Sequence, residues 1–169
     1  LPDRKLWYTL RQSESSPKGT IQGTPREFRF LFGHILEHLV ILLARETGHS
    51  VANTQKKIYV EGIPGHLDAE IDNEVVDIKS CSTYSFQKFR TGSILNGDPE
   101  NDPFGYIHQL SGYVKALKKS RGYFLAIDKS SGAMHLLEVP PMIIRDTSAR
   151  IRHVKAFVEA PAPPVAMCY

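Results

Sequence analysis

The residue types most suited to chemistry lie in one segment, from His66 to Lys79, where carboxylates alternate with apolar residues. The pair Asp72-Asn73 is typical of a two-residue type I′ turn, which places Asp68 opposite Asp77 in a β-hairpin. Lys79 then lies on the same face, two residues beyond Asp77 and opposite His66. Two carboxylates about 5 Å apart repel each other unless a cation lies between them. The spacing therefore predicts a cation site with a lysine beside it.

Carboxylate oxygens are the ligands that Mg²⁺ or Mn²⁺ prefers, and one or two such ions would fit here. A bound divalent cation can activate water and stabilise charge on a phosphate. Lys79 could orient that water or stabilise the phosphorane. This pattern indicates a metal-dependent nuclease, and the simpler alternative is an exposed polar face with one Lys–Asp pair.

A helix must lie upstream of this hairpin, because Thr24-Pro25-Arg26-Glu27 has the residues of a helix start and the apolar spacing continues to about Glu46. A second apolar stripe of this helix carries Glu37 as its only charge, so we expect a sandwiched helix and a paired or metal-bound carboxylate. The main stripe consists of Phe28, Leu31, Phe32, Ile35, Leu39, Leu42 and Leu43, and the second of Phe30, Gly33, Glu37, Ile41 and Ala44.

The remaining pattern predicts strands at 57–62, 123–128 and 134–139, and helices at 103–120 and after Pro140-Pro141. Residues 83–105 are a short helix or a loop. This order predicts an α/β fold, a central mixed β-sheet flanked by helices. We expect one domain over 1–169, with 1–23 as an N-terminal extension and 160–169 as an extended tail.

Composition limits the class of protein. Two cysteines, Cys81 and Cys168, exclude a disulfide framework or a four-cysteine metal site within this chain and favour a reducing cytoplasm. No signal peptide is visible, and no apolar run has the roughly 18 residues of a membrane span. Basic residues form two clusters, which either attract nucleic acid or are solvated helix faces. The clusters are Lys115, Lys118, Lys119 and Arg121, and Arg145, Arg150, Arg152 and Lys155.

Four motifs together resemble the PD-(D/E)XK nuclease superfamily, in its RecB-like branch, most closely the small single-domain exonucleases of phages. Gly65-His-Leu-Asp68 with Val75-Val-Asp-Ile-Lys79 resembles the core motif. Gln109-Leu-Ser-Gly-Tyr113 resembles the QxxxY motif, Gly33-His-Ile-Leu-Glu37 the motif of the first helix, and Arg4-Lys-Leu-Trp-Tyr8 an N-terminal stretch. The resemblance covers nearly the whole chain in the expected order and implies a restriction-endonuclease-like core.

The resemblance implies catalytic roles for Asp68, Asp77 and Lys79. It implies a metal site made of Glu37, Asp68, Asp77 and the main-chain carbonyl of Ile78. The alternative first-helix ligands are His34 and His38, or Glu37 acting through water, and His66 is expected to line the site. Some relatives hold an iron–sulfur cluster through four cysteines, which this chain alone cannot supply.

The expected partner is DNA, as single strands or duplex ends, together with replication or recombination proteins. Gln109 and Tyr113 share a helix face. The resemblance implies that they contact DNA phosphate and support the active site, and the alternative is that Tyr113 is core and Gln109 is solvated. In the segment from Tyr84 to Arg90, aromatic residues would stack on unpaired bases beside a groove charged by Lys88 and Arg90. The alternative is an amphipathic helix that packs Phe86 and Phe89 inward. We expect a DNA exonuclease. Its location would be the cytoplasm, which is the host cytoplasm if the enzyme is encoded by a phage. The alternatives are a flap-type endonuclease or a non-catalytic DNA-binding subunit.

Overall fold

A computed structural model describes residues 25–160 of the chain, without the side chains of residues 25–27 and 29. Several sequence predictions lie outside these residues. They are the N-terminal extension, the Arg4–Tyr8 motif, the capping box at Thr24 and the tail from residue 161 with Cys168.

The described chain contains helices at both ends and in the middle, with two groups of strands between them. In order, they are α1 (Pro25–Glu46), β1 (Val51–Ala52), β2 (Lys56–Val60), β3 (Ile63–Leu67), β4 (Ala69–Ile71), β5 (Glu74–Cys81), α2 (Thr83–Arg90), a 3₁₀ helix (Ser93–Asn96), α3 (Tyr106–Ala116), β6 (Gly122–Asp128), β7 (Met134–Val139) and α4 (Thr147–Glu159). None of these helices is both long enough and apolar enough to cross a membrane.

A five-stranded mixed sheet with the order β1-β4-β5-β6-β7 forms the centre, and β2 and β3 form a separate two-stranded sheet. Within the large sheet only β5 and β6 run parallel. Packing is layered, with α1 on one face and α2 and α3 on the other. The predicted fold class, a mixed sheet flanked by helices, is confirmed.

The predicted hairpin register is also confirmed where β4 meets β5. Ala69 pairs with Val76 and Ile71 with Glu74. The turn residue Asp72 has φ 51° and Asn73 has φ 66°, the left-handed values that a type I′ turn requires.

Before Asp68 the predicted hairpin is wrong. The preceding residues leave the large sheet, and His66 pairs with Lys57 of β2 instead of lying opposite Lys79. The predicted strand at 57–62 ends in a turn at Glu61 and Gly62, with φ 49° and 76°. The physical reason is burial, because Leu67 is fully buried in the core on the α3 side whereas Ala69 is buried against α1.

The α1 helix uses the smaller of its two apolar stripes to contact the sheet. Val40 and Ile41 are buried there together with Ile78. The predicted main stripe is exposed, so within residues 25–160 the helix is not sandwiched. Exposed fractions are 70% for Phe28, 56% for Leu31, 38% for Phe32, 54% for Ile35, 46% for Leu39, 52% for Leu42 and 46% for Leu43. This rotation directs Glu37 toward the sheet, and an ideal Cβ on Gly33 would come within 3.3 Å of Ser80 Oγ.

Many residues of the two basic clusters stabilise the fold. Arg121 forms ion pairs with Glu74 and Glu138, and Lys119 donates to the Asn73 carbonyl at the hairpin turn. In the second cluster, Arg152 pairs with Glu61, and Lys155 donates to the Glu61 carbonyl. These four cations therefore have protein partners in the fold, and the attraction of nucleic acid by the two clusters stays a prediction.

Candidate active site

Strand β5 places Asp77 and Lys79 on its α3-facing side. Asp77 is 1% exposed, and neither of its carboxylate oxygens has a hydrogen-bond partner of acceptable geometry within residues 25–160. The Lys79 ammonium lies 2.5 Å from Asp77 Oδ2. A buried carboxylate with so few partners is costly, so a counter-charge is needed here.

Asp68 lies where β4 begins, next to this pair. Its Oδ2 accepts a hydrogen bond of 2.7 Å from the Ile78 amide. Burial first, and the charge of Asp77 second, raise the pKa of Asp68 to about 7, although Lys79 and the Ile78 amide act in the opposite direction. Without a cation, this carboxyl is therefore partly protonated at neutral pH.

Asp77 and Lys79 each shift the pKa of the other. Burial raises the pKa of Asp77, and Lys79 opposes that shift. Burial alone would lower the pKa of Lys79, but Asp77 and Asp68 raise it above its usual value. Lys79 therefore remains an ammonium group and a hydrogen-bond donor at neutral pH.

Glu37 reaches this site from α1. Its side chain is buried, its Oε1 accepts a hydrogen bond from Gln55, and its charge contributes to raising the pKa values of Asp68 and Asp77. His34 Nδ1 lies 3.7 Å from Glu37 Oε2 and lines the same cavity. His38 is exposed and contacts the His34 carbonyl of its own helix. Of the three first-helix candidates, Glu37 is the one whose charge acts on both aspartates.

Helix α3 holds Lys79 from the other side. The Lys79 ammonium lies 4.8 Å from the centre of the Tyr106 ring and donates to Gln109 Oε1 at 3.4 Å. Gln109 Nε2 donates in turn to the Tyr113 hydroxyl at 3.1 Å. The ring of Tyr113 is in the core, and an ideal Cβ on Gly65 would come within 2.8 Å of its hydroxyl oxygen. The ring of Tyr113 is thus core, its hydroxyl holds Gln109, and contact of these two residues with DNA stays a prediction.

Some of these residues line a cavity of about 680 Å³, which we call the acidic pocket. It is lined by Phe30, Gly33, His34, Glu37, Asp68, Ile78, Lys79, Ser80, Tyr106 and Lys129. His66 lies instead in a neighbouring groove of about 440 Å³ beside His108, Gln109 and Tyr113. Burial and the charge of Arg145 lower the pKa of His108 there.

The segment around Tyr84 forms a helix, whose Phe86 and Phe89 pack inward. Tyr84 is 76% exposed, and the Lys88 ammonium lies 5.1 Å from the centre of its ring. Arg90 is exposed near the end of α2, and it lines neither of the cavities next to Lys79. Of the two predicted DNA-binding cations, only Lys88 lies beside the site.

The donor set fits a divalent cation in its chemistry. Three carboxylates, Glu37, Asp68 and Asp77, lie close enough for their charges to shift pKa values within the cluster, and the Lys79 ammonium contacts Asp77. As the side chains stand, no three His, Cys, Asp or Glu residues among those described are arranged to hold a metal ion. Carboxylates can turn about their side-chain bonds when a ligand binds, so the donor chemistry is compatible with a cation.

Several residues beside the site were not predicted. Tyr106 precedes Gln109 by three residues and so shares its helix face, a spacing that the sequence contains. Lys129 follows β6, the parallel neighbour of β5, and carboxyl ends of parallel strands meet at one edge. No signal in the sequence indicates Gln55, because its contact with Glu37 depends on a left-handed backbone, with φ 53°.

No family model matches the chain, and no curated protein matches it. Among solved structures, an alkaline exonuclease (LHK-Exo) from Laribacter hongkongensis is similar, with 16% identity and a TM-score of 0.50 over 75% of this chain and 68% of that one. The chain shares the fold of this exonuclease. A structure of LHK-Exo in complex with dAMP has a TM-score of 0.52 at 16% identity, over 89% of this chain and 77% of that one. The exonuclease fold agrees with the mixed sheet and flanking helices described above.

Proposed function

We propose that this chain is a DNA exonuclease that depends on Mg²⁺ or Mn²⁺ and hydrolyses phosphodiester bonds at DNA ends or in single strands. One observation carries the proposal. Asp77 is 1% exposed, its Oδ2 lies 2.5 Å from the Lys79 ammonium, burial and the charge of Glu37 raise its pKa, and its own charge raises the pKa of Asp68. Bringing three carboxylates together beside one lysine in a buried place is costly for the fold, so a function is the better explanation.

Glu37, Asp68, Asp77 and the Ile78 carbonyl would hold one or two cations. When bound, a divalent cation stabilises negative charge on the phosphate and lowers the pKa of water. Lys79 remains an ammonium group, because Asp77 and Asp68 raise its pKa. It therefore donates to the phosphate or to the attacking water and does not act as a base. Tyr106 and Gln109 keep the lysine in place, and Tyr113 fixes Gln109.

In the hydrolysis, the oxygen of water forms a bond to phosphorus and the bond from phosphorus to the sugar oxygen breaks. The leaving oxygen takes up a proton. The preference for DNA follows from the likeness to LHK-Exo, one structure of which contains dAMP. We further propose that the enzyme acts in the cytoplasm, in DNA replication, recombination or repair of the phage type, because the motifs resemble phage exonucleases.

The test is cleavage of end-labelled linear DNA, single- and double-stranded, by the wild-type chain with Mg²⁺, with Mn²⁺ and with EDTA. We expect cation-dependent release of short products from the ends. A covalently closed circular DNA is the matched control, because an exonuclease leaves it intact. Opening of the circle would favour the flap-type endonuclease, and cation-independent binding of DNA without cleavage would favour a non-catalytic subunit.

A further inference from the structure

A second cavity, which we call the lysine pocket, lies beside the acidic pocket and has a volume of about 370 Å³. Lys79, Ser80, Tyr106 and Lys129 line both cavities. The lysine pocket is additionally lined by Lys88 and by the hydroxyl residues Ser82 and Ser85, and no carboxylate is part of its lining. Three ammonium groups without a carboxylate favour an anionic ligand.

An exposed aromatic side chain forms one side of the lysine pocket. Phe104 is 76% exposed, and its ring centre lies 5.5 Å from that of Tyr106. The loop that carries it is fixed, because the Asp102 carboxylate accepts hydrogen bonds from the amides of Tyr106 at 2.8 Å and Ile107 at 3.0 Å. A large apolar ring held in solvent beside cationic groups is suited to stacking on a nucleobase.

The backbone around Lys129 is also fixed. The Asp128 carboxylate accepts hydrogen bonds from the Ser130 amide at 2.9 Å, from Ser131 Oγ at 2.9 Å and from Thr83 Oγ1 at 3.1 Å. Within residues 25–160 the Lys129 ammonium has no ion pair or hydrogen bond. The other two lysines of the pocket are engaged, Lys79 by Asp77 and Lys88 by the Glu100 carbonyl. Lys129 is thus the cation available to a ligand at the junction of the two cavities.

We propose that the lysine pocket binds one nucleotide of the substrate strand, with its base stacked on Phe104 and its phosphate contacted by Lys129, next to the phosphate that is cleaved. This inference rests on the proposed nuclease function and adds a subsite to it. The volume of about 370 Å³ is at the small end of ligand pockets, as a single nucleotide requires. Because a base stacked on Phe104 must leave its neighbours in a duplex, the enzyme is expected to prefer ends that are unpaired.

The first test uses single-stranded oligonucleotides that carry the fluorescent base 2-aminopurine at successive positions from the end, titrated with protein in EDTA. We expect a fluorescence change at one position that is lost in Phe104→Ala, with about 5- to 100-fold weaker binding, and that is retained in Phe104→Trp. Met142→Ala is the control, because Met142 is 85% exposed and does not line the pocket. It should bind like the wild type. Circular dichroism verifies that each variant is folded.

The second test is the salt dependence of the same binding. Lys129→Ala should reduce the slope of log affinity against log salt by about 0.7, the value of one phosphate contact to a single strand. Arg45→Ala, at the far end of α1, should leave the slope unchanged.

The results of these tests distinguish a failure of the subsite proposal from a failure of the proposed nuclease function. If the wild type cleaves DNA but Phe104→Ala and Lys129→Ala match it in affinity, fluorescence pattern and salt slope, the subsite is refuted and the nuclease stands. If Phe104→Trp binds as weakly as Phe104→Ala, stacking is refuted. If the wild type neither binds nor cleaves DNA, both proposals fail.

Discussion

Replacing Asp68 by asparagine should make the protein more stable at neutral and alkaline pH when no cation is present. The pKa of Asp68 is about 7 in the folded chain, against 3.8 for the free side chain. Folding therefore opposes ionisation of this group, and the difference between the two pKa values corresponds to at most about 4 kcal/mol at pH 8. Asparagine keeps an oxygen for the Ile78 amide, so that hydrogen bond need not be lost.

Proton linkage determines how the stability of the wild type changes with pH relative to that of Asp68→Asn. Below about pH 4 the Asp68 carboxyl is protonated in both states and has no effect on the pH dependence of stability. As the pH rises from about 4 to 7, the unfolded chain releases this proton first, so the wild type loses stability that the variant retains. The loss is complete above the folded pKa of about 7.

Urea denaturation in EDTA, followed by circular dichroism at several pH values, measures this difference. We expect Asp68→Asn to exceed the wild type by about 2–4 kcal/mol at pH 8 and by much less at pH 4.5. The control is Glu46→Gln at the exposed end of α1, because the Glu46 carboxylate has no ion pair or hydrogen bond within residues 25–160. Equal stability of Asp68→Asn and wild type at pH 8 would refute the assigned burial and repulsion.

Three further predictions concern positioning and packing. Lys79→Ala should lower the cleavage rate by about 10²- to 10³-fold in a single-turnover assay, because the ammonium donor at the phosphate is lost. Gly122→Ala should destabilise the fold by about 1–3 kcal/mol in urea denaturation, because the new Cβ would lie 2.7 Å from Val114 Cγ2. The control is Gly112→Ala in helix α3, which should be neutral or stabilising because the nearest contact of its Cβ is 3.4 Å away. Gly65→Ala should weaken DNA cleavage, because its Cβ would displace the Tyr113 ring. A second substitution, Tyr113→Phe, should not rescue it, because the Cε1 atom of the ring would still lie 2.9 Å from the new Cβ. Full activity of Gly65→Ala would contradict this packing.

The parts of the fold that were predicted from sequence are those fixed by local rules. The Asp72-Asn73 turn sets the register of β4 and β5, because a two-residue turn allows one pairing. Strand β7 has the predicted bounds Met134–Val139, and α1 ends at Glu46, just before Gly48 with φ 90°. Each of these features depends on residues that are close to one another in the sequence.

The parts that were not predicted depend on contacts distant in sequence. Periodicity identifies both apolar stripes of α1 but does not determine which stripe contacts the sheet. The structure selects the stripe with Glu37 and Ile41, where Gly33 permits close approach to Ser80. The switch at Asp68 from one sheet to the other could not be predicted either, because it depends on Leu67 packing near residues of α3. Within the site, the aspartates and lysine followed from the register, whereas the contact from Gln55 to Glu37 did not.

The central claim is that Asp77 holds a catalytic cation, and one paired measurement tests it most directly. Binding of Mn²⁺ by calorimetry and Mn²⁺-dependent cleavage of end-labelled single-stranded DNA are measured on the wild type and on Asp77→Asn, with folding verified by circular dichroism. We expect that the folded variant loses both Mn²⁺ binding and cleavage, while the wild type has both and loses cleavage in EDTA. A folded Asp77→Asn protein that binds Mn²⁺ and cleaves DNA like the wild type would show that Asp77 does not hold the catalytic cation.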